Sequence, residues 1–173
     1  MAELVIGKLG DPTLRNKCKQ VSEITPSILQ LLDDMTDTLK ASPNGAALAA
    51  PQVGVLKRIV VIDGGDSFIE LINPQIIEKT GEQTGPEACL SLPGIWGQVT
   101  RAQYVKVEAM NRAGEKFLIE GEDFMARCLQ HELDHLEGIL FIDHVTAGQI
   151  FRENTNEPLD IYNLIKISRQ NNI

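Results

Sequence analysis

The pentapeptide His131-Glu132-Leu133-Asp134-His135 constrains this chain more than any other segment. It lies in a run from Glu122 to Glu137 where Phe124, Cys128, Leu129, Leu133 and Leu136 supply an apolar stripe at helical spacing, and Gly138 stands where the helix should end. Two imidazoles four residues apart fall one turn apart on one helical face, where both can reach the same ion. Glu132 lies about 100° further round the helix, beside the imidazoles, where a carboxylate can take a proton from an activated water. The competing reading is an exposed helix carrying two histidines at this spacing by accident, with Glu132 and Asp134 as solvated charges. Apolar flanks weigh against it, because polar side chains within an apolar stripe need a reason to be there.

A catalytic metal of this kind takes three protein ligands and leaves one position for water, so a further ligand must come from elsewhere in the chain. Phe141 stands where some zinc proteases place another histidine, although Gly138 is kept at the intermediate point. Glu153 and Glu157 lack a convincing helix facing the site, and His144 reads as a surface or capping residue. Of the three cysteines, Cys18 lies in a polar, lysine-flanked stretch and reads as incidental. Cys128 precedes His135 by seven residues, and on an α-helix that is a rise of roughly 10 Å, too far for a short thiol to bridge. Cys89 sits in Glu87-Ala88-Cys89-Leu90-Ser91-Leu92-Pro93-Gly94, between turn residues and without helical period, and is the better candidate. A free cysteine taken alone would read as a small buried hydrophobe.

Length and composition bound the rest. At 173 residues the chain is expected to form a single domain over 1–173, with no repeat or Ser/Gly linker to mark another. The excess of 24 acidic over 16 basic residues gives a net charge of −8, which argues against direct nucleic-acid binding. An odd cysteine count and the lack of a leader-like N-terminus suggest a reducing, cytoplasmic protein, and no apolar run approaches the roughly 18 residues of a membrane helix. Thr25 as a cap, Pro26, then Ile28, Leu31, Leu32, Met35 and Leu39 predict a helix ending near Ser42-Pro43. The small residues Ala46 to Ala50 lack the bulk of a core strand. Short strands are predicted over Arg58–Asp63, Phe68–Asn73, Gln75–Lys79, Tyr104–Met110 and Lys116–Glu120, with turns at Gly64-Gly65, Asn73-Pro74 and Asn111–Gly114. Asn156 as a cap, Pro158, and then Leu159, Ile161, Leu164, Ile165 and Ser168 predict a terminal helix. The expected class is α+β: antiparallel sheets around a central helix carrying the histidines, with an N-terminal and a C-terminal helix.

Three segments in this order resemble the peptide deformylases. Gly45-Ala46-Ala47-Leu48-Ala49-Ala50-Pro51-Gln52 is similar to that family's G-x-G-x-A-A-P-Q, Glu87-Ala88-Cys89-Leu90-Ser91 to E-G-C-L-S, and Gln130-His131-Glu132-Leu133-Asp134-His135 to Q-H-E-x-D-H. The resemblance spans essentially the whole chain. It implies a cytoplasmic bacterial hydrolase, active in protein biosynthesis, that removes the N-formyl group from the initiator methionine of nascent chains and releases formate. Cys89, His131 and His135 would hold one divalent ion, usually Fe(II) in the family, with Zn, Ni and Co as alternatives by ligand type. Glu132 would carry the proton, Gln52 and the backbone N–H of Leu90 would donate to the oxyanion, and Gly45, Ala46, Ala47 and Ala88 would line the peptide path. Glu87 and Arg101 resemble a supporting ion pair, although two surface charges would read much the same. Arg127 either lines the pocket or carries a salt bridge.

The implied partner is an N-formylmethionyl peptide or nascent chain; the ribosome stays open, no membrane is involved, and a monomer is expected. The tail from Thr146 to Ile173 could pack on the body, contact a ribosome or join subunits. Two alanines depart from the family pattern: Ala47 and Ala88 replace glycines, and a methyl at either would strain the backbone if φ were positive there. The competing readings are a homologue with altered substrate or little activity, another metallopeptidase or amidase, and a metal- or peptide-holding module without turnover.

Overall fold

The structure, a computed structural model, describes residues 2–170. Helix α1 runs from Pro26 to Lys40, two residues short of the predicted end, with the Thr25 side chain accepting from the Ile28 N–H and Pro26 in the first turn. Ile28, Leu32, Met35 and Leu39 form its buried face. Eight strands follow: β1 (Ala47–Ala49), β2 (Ile59–Asp63), β3 (Phe68–Thr80), β4 (Gln83–Cys89), β5 (Leu92–Arg101), β6 (Tyr104–Met110), β7 (Lys116–Glu122) and β8 (Ile150–Arg152). All pairings are antiparallel and fall into a sheet of order β1-β2-β3-β6-β7 and a smaller one of order β4-β5-β8. Helix α2 (Asp123–His135) packs against β7, β1, β6 and β5, so it is covered from both sheets. Every residue from Ala126 to Leu133 is buried. This is the α+β arrangement around a histidine-bearing helix that the sequence leads one to expect.

Several local expectations are corrected. Ala47–Ala49 is a strand and wholly buried, paired through Ala47 to Ile62, Leu48 to Val61 and Ala49 to Val60. Bulk is not needed there because α2 packs close over the small side chains, and close approach replaces side-chain volume. The predicted break at Asn73-Pro74 is a bulge inside one continuous strand, β3. Asn73 takes φ 51, which asparagine tolerates, and its amide exchanges two 2.8 Å hydrogen bonds with the backbone of Val21, so the kink is held by side chain rather than by a turn. β7 runs two residues past Glu120, and β4, β5 and β8 lie outside the predicted strands. At the C-terminus, α3 (Ile161–Arg169) is capped by Asp160, whose carboxylate accepts from the N–H groups of Tyr162 and Asn163. Asn156 sits instead at φ 56 in the turn after β8 and accepts from the Trp96 indole.

The tail packs on the body. Ile161 and Leu164 join a core cluster with Leu92, Val99, Phe141 and Ile150. Buried Arg15, from the N-terminal segment, donates to Ser168 of α3 at 3.1 and 2.8 Å and to both oxygens of Asp143 at 2.6 and 2.9 Å. Residues 171–173 of the tail lie outside the described residues. No described helix is long and apolar enough to cross a membrane.

Partial burial of the Asp143 carboxyl works against its charge, but Arg15 and the Leu140 N–H outweigh this and hold its pKa below the ordinary aspartate range. A depressed carboxylate stabilises the fold above its unfolded pKa and loses that contribution as the pH falls through its folded value. The gap in urea midpoint between the parent chain and Asp143→Asn is therefore expected to be widest at neutral pH and to narrow in acid. A gap that does not depend on pH would show that the ion pair adds nothing beyond its shape.

Candidate metal centre

The β4–β5 hairpin and α2 converge at one point. Cys89 closes β4, with a register shift between Ala88 and Cys89 that turns its side chain out of the alternation. The Cys89 Sγ, one ring nitrogen of His131 and one of His135 all lie within 4.8 Å of one another, and Cys89 Sγ is 3.4 Å from His135 Nε2. That is close enough for one ion with ligand bonds of about 2.0–2.3 Å to gather them. Their chemistry suits a cation. Burial keeps His135 neutral and available as a donor. Burial acts the same way on His131, but hydrogen bonds to Cys89 and Glu87 outweigh it and attract positive charge to the ring.

The Glu87 carboxylate fixes the orientation of His131 by meeting Nδ1 at 2.8 Å, which leaves Nε2 for the ion. Glu87 is itself clamped by Arg101 through Nε and a terminal nitrogen, both at 2.8 Å, and by Arg127 at 2.6 Å. All three side chains are nearly fully buried. Glu87 and Arg101 are thus not surface charges, and Arg127 both carries a salt bridge and lines the cavity. Phe141 stacks on His131 with ring centroids 6.0 Å apart, which packs one face of the ring.

Glu132 is 5% exposed and its Oε2 has no hydrogen-bond partner. Burial pushes its carboxyl up to about 7, with His131 opposing. Gln52 is held at both ends of its amide: Oε1 accepts from the Ala49 N–H at 2.9 Å, and Nε2 donates to Ser91 Oγ at 3.1 Å and reaches Cys89 Sγ at 3.6 Å. These groups line a cavity of about 620 Å³ together with Gly45, Ala46, Ala47, Ala88, Leu90 and Phe124. Glycine at 45 answers a close approach, since a Cβ there would meet Leu39, Ser42 and Leu90 at 3.1–3.3 Å. Neither Ala47 nor Ala88 takes a positive φ. Ala47 packs its methyl with Val60 and Ile62, and Ala88 faces Trp96 across the hairpin, so neither departure strains the backbone.

Cys18 and Cys128 are kept as thiols by burial, the former pushed up to about 11. Glu153 sits on the cavity lining outside the donor set, and His144 meets Asp134 at 2.9 Å. The sequence reading missed Ser91 as a support for Gln52 and Asp134 as a partner of Arg101 at 2.6 Å. Position next to a candidate ligand was the available signal for Asp134.

A half-buried cysteine and two buried histidines with a buried carboxylate beside them, next to a cavity between two antiparallel sheets, define a metal-binding hydrolase with a single-ion centre. The polypeptide deformylase family model matches residues 4–150. The chain belongs to that family. It is 61% identical over 143 residues to the peptide deformylase of Desulfitobacterium hafniense, covering 83% of this chain and 95% of that one. To the peptide deformylase of Agathobacter rectalis it is 52% identical over 159 residues, 91% of this chain and all of the other. Among solved structures, a peptide deformylase from Legionella pneumophila superposes with a TM-score of 0.80 at 41% identity, covering 83% of this chain and 86% of that one. One from Synechococcus elongatus in complex with actinonin gives 0.79 at 38% identity, covering 83% and 79%.

Proposed function

We propose that residues 1–173 act as one domain that hydrolyses the N-formyl group of formylmethionyl peptides and nascent chains in the bacterial cytoplasm, with Cys89, His131 and His135 holding Fe(II). The observation that carries this reading is the joint position of three donor atoms within 4.8 Å of one another, with Cys89, His131 and Glu132, whose Oε2 is unpartnered, lining one cavity. A divalent ion bound there supplies Lewis acidity toward the formyl carbonyl and makes water acidic enough to attack at neutral pH. The chain does the rest. Glu132 accepts the proton of the attacking water and returns it to the leaving nitrogen. Gln52 Nε2, its amide oriented by the Ala49 N–H, and the backbone N–H of Leu90 donate to the oxygen on which charge develops. Gly45, Ala46, Ala47 and Ala88 let an extended peptide approach along the edge strand β1.

Anaerobic turnover of formyl-Met-Ala-Ser by Fe(II)-loaded protein tests the reading. Release of formate, with an acetylated peptide and an internal-bond substrate left intact, is the expected result; full metal loading without turnover would sink it. Within the same assay, Gln52→Ala is expected to lower kcat by about 10²–10³-fold, the usual loss for one oxyanion donor. An unchanged kcat would remove Gln52 from the mechanism. The protein is expected to sediment as a monomer.

A further inference from the structure

Charge within the hydrogen-bonded cluster behind His131 does not balance at Glu87 alone. One carboxylate faces two guanidiniums, Arg101 and Arg127, and the surplus positive charge lies next to the donor set meant for a dication. Arg101 is only 5% exposed at its side chain, so water screens this surplus poorly. Its remaining terminal nitrogen reaches Asp134 Oδ2 at 2.6 Å, and the same oxygen is 2.9 Å from His144 Nε2. With Asp134 counted, two carboxylates offset two guanidiniums. Asp134 lies on α2 between the two histidines, yet it lines a separate cavity of about 450 Å³ shared with Arg101, Thr100, Gln130 and His144. The donor-set cavity opens on a different set of residues, and Arg101 with Glu87 connects the two.

We propose that Asp134, steadied by His144, is a positioning residue for the metal centre: through Arg101 it removes the surplus positive charge and holds Glu87 square on His131 Nδ1. The inference rests on the metal-binding reading above. It differs from an ordinary surface ion pair, whose loss changes little, because the arginine between Asp134 and Glu87 is buried. Asparagine is the discriminating substitution, since its amide oxygen can still accept from Arg101 while the charge is gone.

The experiment measures zinc release from Zn-loaded protein into excess chelator, together with kcat, KM and thermal midpoint, for the parent chain, Asp134→Asn, Arg101→Gln and the double variant. Asp134→Asn is expected to release zinc about 10-fold or more faster, within the range known for residues that support a metal ligand, with a lower kcat and an unchanged KM. In the Arg101→Gln background, where no surplus charge exists, Asp134→Asn is expected to add nothing. Zinc release at the parental rate overturns the proposal, as do losses that multiply in the double variant. A lowered thermal midpoint with parental zinc release overturns it in favour of a purely structural role. If Asp134→Asn does not fold, His144→Gln takes its place: faster release supports the proposal and parental release overturns it. A parent chain that holds no zinc would instead defeat the metal-binding reading itself.

Discussion

Replacing Glu132 by glutamine is expected to lower kcat on formyl-Met-Ala-Ser by about 10²–10⁴-fold, the span of a lost general acid–base group, while KM and bound metal stay at the parental level. Glutamine keeps the shape and volume of the side chain but cannot accept a proton. The side chain is only 5% exposed, so few solvent molecules can stand in for the missing base. Its Oε2 spends no hydrogen bond on the protein, which leaves that oxygen for a reacting group. Steady-state kinetics and metal content by atomic absorption give the two readings. Retained turnover would show that protons travel by another route, and loss of the metal would mean that Glu132 is a ligand.

Glu87→Ala is expected to reduce the stability of the metal-free chain by about 3–5 kcal/mol, the range seen when one partner of a buried ion pair is removed. Two buried guanidiniums would lose their common partner, and the His131 Nδ1 would lose the oxygen that orients it. Burial opposes the charge on Glu87, but hydrogen bonds to Arg101 and His131 overcome this and hold its carboxyl well below the usual range. The carboxylate is therefore integral to the packing of α2 against the β4–β5 hairpin. Urea unfolding of chelator-treated protein measures the effect. A change below about 1 kcal/mol would mean that the cluster behaves like an exposed salt bridge.

These expectations differ in how early they could be formed. Glu132 is legible from sequence because helical periodicity alone fixes its direction relative to His131 and His135. The α1 cap at Thr25 is equally local, a side chain bonding a backbone N–H three residues away. The role of Glu87 could be framed only as a resemblance. Nothing in the spacing of Glu87, Arg101 and Arg127 says that three charged side chains will share one buried point.

The strands show the same division. β2 and β6 announce themselves by β-branched residues, whereas β1 is a leucine between two alanines, which a strand pattern does not reveal. The course of β3 through Pro74 depends on Asn73 meeting Val21, 52 residues away. The β4–β5 hairpin is masked by its polar content, because much of one face is turned to solvent or to the cavity.

The sequence by itself determined helices α1 and α2, the pairing of His131 with His135 and the place of Glu132 beside them. Each follows from short-range geometry, in which a few backbone angles set the distance between side chains. Only the tertiary structure decided that Ala47–Ala49 is a buried edge strand, that Gln52 donates to Ser91, and that Arg101 links Asp134 to Glu87. Those arrangements depend on long-range packing and on the burial of charge, and neither quantity exists until the sheets close around α2.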